Sequence, residues 1–199
     1  MSRKSVVAVS FALVFLMAGI FSGCMLTAPS GQTEPSLPAG PGTYVLEPVA
    51  NESGCVRTEG NIDSSVHLVG DDWNNQVWRA FASFDISPLA GRDVTNAKFV
   101  FKGAKKGEPF TSLGQLLFAQ VKWGPRRLRM DDFKLAQIHT LGSFDTASGE
   151  IDVTSYVQEA VSGGDDRYQV RGRLDSHLSN NDSEPDQIDL DMTLEVTYE

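Results

Sequence analysis

The sequence predicts an all-β fold, an antiparallel β-sandwich of jelly-roll type with one short helix. Three observations carry that expectation. Apolar and polar side chains alternate with period two along several segments, the pattern of strands with one buried and one wet face. Eighteen glycines and nine prolines supply turns at short intervals. Helical spacing is confined to one short segment, and no internal repeat is present.

Each element can be justified in order. Residues 44–46 open the domain, and a second strand is expected over 64–69 after a turn-rich stretch. Residues 77–86 form a longer strand in which Trp78, Ala80, Ala82, Phe84 and Ile86 share one face. Ala97, Phe99 and Phe101 alternate with Lys98, Val100 and Lys102. Residues 115–123 read as a strand that is apolar on both faces. The helix is expected over 152–161, with Thr154 as cap and Gly163 as stop. Its packing face is Tyr156, Val157, Ala160 and Val161. Tyr168, Val170, Gly172 and Leu174 then alternate with Gln169, Arg171, Arg173 and Asp175. The last strand is the clearest. Leu190, Met192, Leu194, Val196 and Tyr198 face in; Asp191, Thr193, Glu195 and Thr197 face out. About eight strands at turn-punctuated intervals fit a sandwich.

Composition narrows the function. The chain has 199 residues, with 26 acidic against 17 basic side chains and a net charge of −9. That length suits one large domain or two very small ones, and the negative balance argues against general nucleic-acid binding. Two cysteines cannot furnish a disulfide framework or a four-thiolate zinc site. The histidines, His67, His139 and His177, are scattered. There is no Gly-rich phosphate loop, nucleophile elbow or histidine pair at ligand spacing. No catalytic constellation stands out.

The N-terminus carries the address. Arg3 and Lys4 precede an apolar run over residues 6–21, and Ser22, Gly23 and Cys24 follow. This is the tripartite layout of a secretory signal, with an apolar run too short to span a bilayer. Phe21-Ser22-Gly23-Cys24 resembles the lipobox of bacterial lipoproteins, with Phe21 where Leu is usual. The resemblance implies cleavage before Cys24 and acylation of its thiol, which anchors the chain to a membrane. Met25, in place of Asp, implies sorting to the outer membrane. An ordinary signal peptide with a chance cysteine is the alternative. Residues 1–23 are thus the signal peptide and 24–42 a lipidated cysteine with a Pro/Gly-rich tether, containing Pro29, Pro35, Pro38 and Pro41. The sandwich occupies 43–199. With Cys24 acylated, Cys55 has no partner within the chain; burial and intermolecular pairing are its two alternatives.

Four segments carry a second resemblance. Val69-Gly70-Asp71-Asp72 with Arg79-Ala80-Phe81-Ala82-Ser83-Phe84-Asp85 comes first. Residues 94–99, 151–158 and 168–174 follow in order. Together they resemble DNRLRE-type extracellular β-sandwich domains, although the naming hexapeptide is absent. The resemblance implies an exported, non-catalytic module, some of whose relatives serve as carbohydrate-binding modules.

Three places could carry binding chemistry. In Asp71-Asp72-Trp73-Asn74-Asn75 an indole stands among carboxylates and amides. Sugars are held that way, by stacking on the ring and hydrogen bonds to hydroxyls. Alternatively Trp73 folds back over the sandwich end and the polar residues close the turn. Asp182, Glu184 and Asp186 alternate along an acidic stretch, either as a weak calcium loop or as a solvated one. Arg126, Arg127 and Arg129 follow Lys122 and Trp123. They could hold an anionic glycan or lipid phosphate, or pair within the protein. The expected protein is a non-catalytic cell-surface lipoprotein, a binding or structural module with carbohydrate as its ligand class. Its partners would be the membrane, polysaccharide and other envelope proteins. The alternatives are a structural subunit of an envelope assembly, using sheet edges and Cys55, and a glycan-cleaving enzyme.

Overall fold

The computed structural model describes residues 40–176 and 178–199. The signal peptide, Cys24 and nearly all of the tether therefore lie outside the described residues. The domain is all-β, and its strands run antiparallel throughout. In chain order they are β1 (Gly42–Leu46), β2 (Gly54–Arg57), β3 (Ile62–Asp63), β4 (Leu68–Asp71), β5 (Val77–Asp85) and β6 (Val94–Lys106). A helical turn α1 (Pro109–Ser112) precedes β7 (Leu116–Gln120), β8 (His139–Phe144) and β9 (Ser148–Asp152). Helix α2 (Thr154–Ser162), β10 (Arg167–Leu174) and β11 (Gln187–Tyr198) complete the domain.

The pairing order resolves into two layers. One sheet runs β4-β11-β6-β9 and the other β5-β10-β7-β8, which is the strand order of a double-sheet jelly roll. β1 shares an edge of β11 with β4, and β2 with β3 extends the second sheet beyond β5. The two layers are hydrogen-bonded at one corner, where Gly70 of β4 faces both Gln187 of β11 and Trp78 of β5. Gly70 has φ +110°, and a Cβ there would run into the carbonyl oxygen of Asp186. Only glycine fits that corner.

The main core lies between the sheets. Alternate residues of β6 and β11 enter it as expected, with Ala97, Phe99 and Phe101 meeting Leu190, Met192, Leu194 and Val196. An aromatic series fills the middle: the Phe101 ring lies 4.6 Å from Phe118 and 4.8 Å from Phe144, and Phe99 lies 5.0 Å from Phe118. Tilted and edge-on contacts of this kind add to the area term.

Four expectations are corrected. The strand expected at 64–69 begins only at Leu68, because the Asp63 carboxylate accepts hydrogen bonds from the Ser65 amide and hydroxyl and turns the chain there. The strand expected to reach residue 123 ends at Gln120. The chain leaves the sheet for an excursion over residues 121–138 before pairing resumes between Gln120 and His139. That excursion lies on the outer face of β5 and β10 and builds a second apolar cluster, Val56, Val77, Phe81, Val121, Trp123, Leu128 and Phe133. The supposedly wet side of β10 is consequently covered: Gln169 and Arg171 are buried. Finally, Thr154 does not cap the helix with its side chain. Its hydroxyl accepts a hydrogen bond from the Ala97 amide and donates to Asp152, tying α2 to β6. Val157 and Ala160 are the buried residues of α2, and past Gly163 the chain turns through Gly164 at φ +75°.

Candidate functional site

The Trp73 loop links β4 to β5, and Asp72 gives it its shape. One carboxylate oxygen of Asp72 accepts the amides of Asn74 and Gln76, at 2.9 and 3.1 Å. The other accepts the Trp78 indole N–H at 3.1 Å and an Arg57 guanidinium N–H at 3.3 Å. Burial alone would raise the Asp72 pKa, but these four donors outweigh it and hold the carboxyl below its ordinary range. Asp71 is completely buried. Its two oxygens accept the amides of Asp186 and Asn180, both at 3.2 Å. Neither carboxylate is left to meet a sugar, contrary to the expectation for Asp71 and Asp72.

The same loop is fastened to the acidic stretch. Asn75, in the left-handed conformation at φ 59°, accepts hydrogen bonds from the Ser179 hydroxyl and the Ser183 amide. Its amide nitrogen donates to the Ser183 hydroxyl at 3.3 Å. Asp186, buried beneath, accepts the Glu108 amide at 2.6 Å and the Asn180 side-chain amide at 2.9 Å. Three loops, around residues 72–76, 106–108 and 179–186, thus converge on Asp71 and Asp186.

Trp73 stands on this base with 60% of its surface exposed. It does not fold back over the sandwich. Lys106 brings its ammonium within 4.7 Å of the ring centroid, a cation–π contact that fixes the indole from one side. Asn74 and Lys106 are exposed beside it. The result is a solvent-facing aromatic plate with Lys106 over one face and Asn74 beside it, on a base held by buried hydrogen bonds. Lys106 was not foreseen, since it lies thirty-odd positions along the chain and only the sandwich places it beside Trp73.

The acidic stretch does not gather into a cation site. Asp182 uses one oxygen for the Glu184 amide and the other for the Asn180 side chain, at 2.8 and 2.7 Å. Among the described residues no three His, Cys, Asp or Glu side chains are grouped to hold a metal ion. Asp182 and Asp186 are held as loop anchors, and Glu184 is exposed.

In the arginine segment, Arg126 forks onto Asp132 at 2.7 and 2.8 Å, and this buried carboxylate raises its pKa. Internal pairing therefore describes Arg126. Arg127 and Arg129 are exposed on either side of the buried Leu128, with Arg127 at the rim of a cavity of about 270 Å³ shared with Asn51, Ser53 and Ser64. No hydrogen bond or ion pair joins this segment to the Trp73 loop among the described residues.

Two further hollows flank α2. A groove of about 740 Å³ is lined by Arg92, Asp93, Ser155, Gln158 and Glu159. A cleft of about 320 Å³ holds Gln120, Lys122, His139 and Asp165. The charges in the cleft are paired: Lys122 with Asp165 at 2.6 Å, and Arg167 with Glu52 and Asp85 at 2.8 Å. His139 stacks on Tyr156. Cys55 is fully buried, and desolvation pushes its thiol up to about 11; as a buried thiol it cannot serve in partner contacts. No helix among the described residues is long and apolar enough to cross a membrane. Compared with known proteins, the chain matches no family model and no curated protein.

Proposed function

We propose that the protein is a non-catalytic module of the bacterial cell surface, lipid-anchored through Cys24, that binds carbohydrate at the Trp73 loop. One observation carries the reading: Trp73 is left 60% exposed on a loop whose neighbouring carboxylates are fully engaged underneath it. An indole exposed on a rigid base is costly for solubility and suited to stacking on the C–H face of a sugar ring. Asn74 beside the ring and Lys106 over its other face supply donors and acceptors. The order of the segments shared with DNRLRE-type domains and the lipobox-like Phe21-Ser22-Gly23-Cys24 support the exported, anchored role. The paired charges of the cleft beside α2 favour binding over catalysis.

The test is a glycan array with the purified protein, followed by calorimetric titration of any glycan retained. Trp73→Ala is expected to abolish binding while leaving the melting temperature unchanged, because the side chain is mostly solvated. Binding through stacking and neutral hydrogen bonds should vary little with salt. A parent that retains no glycan, or a Trp73→Ala variant that binds as well as the parent, overturns the assignment. The anchor has its own test: Cys24→Ser should lose acyl labelling and leave the membrane fraction.

A further inference from the structure

The sheet under the 121–138 excursion holds a cluster of guanidinium groups that the sugar reading does not use. Arg79 lies on the outward side of β5, and Arg171 and Arg173 on the outward side of β10. The register pairs Arg171 with Phe81 and Gly172 with Ala80, so its continuation sets Arg173 across from Arg79. Like charges at directly opposed sheet positions repel. Arg171 is only 5% exposed.

Both Arg79 and Arg171 are held against the excursion. Arg79 lies flat on the Phe133 ring, 3.9 Å from its centroid, and one Nη donates to the Phe133 carbonyl. An Nη of Arg171 donates to the Leu135 carbonyl at 2.5 Å. These contacts use one corner of each fork. The Nε of Arg79 and the Nε of Arg171 are buried with no hydrogen-bond partner. Among the described residues neither forms an ion pair; burial lowers the pKa of both, and so does the neighbouring positive charge, of Arg171 and Arg173 on Arg79 and of Arg173 on Arg171. Arg173 has Asp175 nearby, and one of its Nη groups donates to the Leu174 and Asp175 carbonyls. A buried and a half-buried cation, each with an idle Nε and no ion-pair partner among the described residues, are an unbalanced arrangement.

We infer that Arg79 and Arg171, with Arg173 beside them, form a receptor for one small oxyanion of sulfate or phosphate size, held between the sheet and the 121–138 excursion. The planar fork of arginine matches such an anion with parallel N–H bonds. The unpartnered Nε atoms of Arg79 and Arg171 are the donors it would take up. Bound there, the anion neutralises the repulsion across β5 and β10 and fastens the excursion, whose Phe133 and Leu135 carbonyls already rest on the same two side chains.

The experiment titrates sodium sulfate and, separately, sodium phosphate into the purified protein, with sodium chloride at matched ionic strength as the control. One saturable site per chain is expected, with a melting temperature that rises and then levels off as the site fills. Arg171→Met and Arg79→Met should each weaken binding about tenfold or more, and Arg171→Lys, which keeps charge but loses the fork, should also weaken it. Trypsin cleavage after Arg127 and Arg129, in the excursion, should slow with the anion present. Trp73→Ala should leave all of this unchanged, so failure of the sugar site and failure of the anion site are separable. If either anion saturates, is weakened by the arginine variants and slows the cleavage, the site stands, and the tighter of the two identifies the ligand. The inference is overturned if neither salt gives saturable binding to the parent. Binding that persists undiminished in both methionine variants, or that leaves trypsin cleavage of the excursion unaffected, also overturns it.

Discussion

Asp72 is a carboxylate in a sequence that looks like a sugar-binding loop, yet its four hydrogen bonds all run inward, to Asn74, Gln76, Trp78 and Arg57. Asp72→Asn keeps the shape but replaces one acceptor oxygen with a donor, so all four donors lose a charged acceptor and two of them lose any acceptor. The expected loss is about 1–3 kcal/mol at neutral pH, read from urea melts. The cost should shrink as the pH falls below the ordinary carboxyl value of 3.8, where the parent's own advantage disappears. An equal loss at pH 7 and pH 2.5 would mean that the ionised form is not what holds the loop. The residue types at this site were legible in the sequence: an indole flanked by acids and amides. Their orientation was not. Asp71 and Asp72 turn inward because their partners, Arg57, Asn180 and Asp186, arrive from distant segments, and a local pattern carries no information about them.

β11 shows how far alternation can be trusted. Its inward residues Ile188, Leu190, Met192, Leu194, Val196 and Tyr198 are all at most 2% exposed, as period two requires. Leu194→Asp puts an unpaired carboxylate between the two sheets and should cost more than about 4 kcal/mol. Glu195→Gln, one position on and facing outward opposite Lys98, should change stability by less than about 1 kcal/mol. Similar losses at the two positions in denaturant melts would show the register to be wrong. The same rule failed on β10, whose outer side was expected to be wet; neither it nor the outer side of β5 is. Those faces are covered by residues 121–138, whose apolar side chains Val121, Trp123, Leu128 and Phe133 follow neither a strand nor a helix period. A segment ordered by tertiary packing alone has no periodic signature. The β4 corner was equally hidden: Gly70 reads as a turn residue, but its role is to let one strand serve two sheets. Gly70→Ala should therefore cost at least about 2 kcal/mol, from the positive φ and the collision with Asp186.

At the scale of the whole domain, two sheets joined at one corner should respond to acid in two stages. His67 lies where β4 approaches β11. Burial lowers its pKa from the ordinary 6.5, more than Asp189 and Asp191 raise it, and its Nε2 has no partner. The folded state therefore binds that proton less readily than the unfolded chain, and stability is lost as the pH falls from 6.5 toward the lowered value. Asp63, Asp72 and Asp152 are depressed from 3.8, mainly by hydrogen bonds from Ser65 to Asp63 and from Thr154 to Asp152. Their contribution is intact above 3.8 and is lost as the pH falls through their lowered values. Urea midpoints measured from pH 8 to pH 2 should thus decline once below about 6.5 and again below about 3.8. His67→Gln removes the only titration of that position and should flatten the first decline while leaving the second. A first decline that survives unchanged in His67→Gln would assign it to another group. Absence of any decline above pH 4 in the parent would mean that protonated His67 is accommodated where the sheets meet.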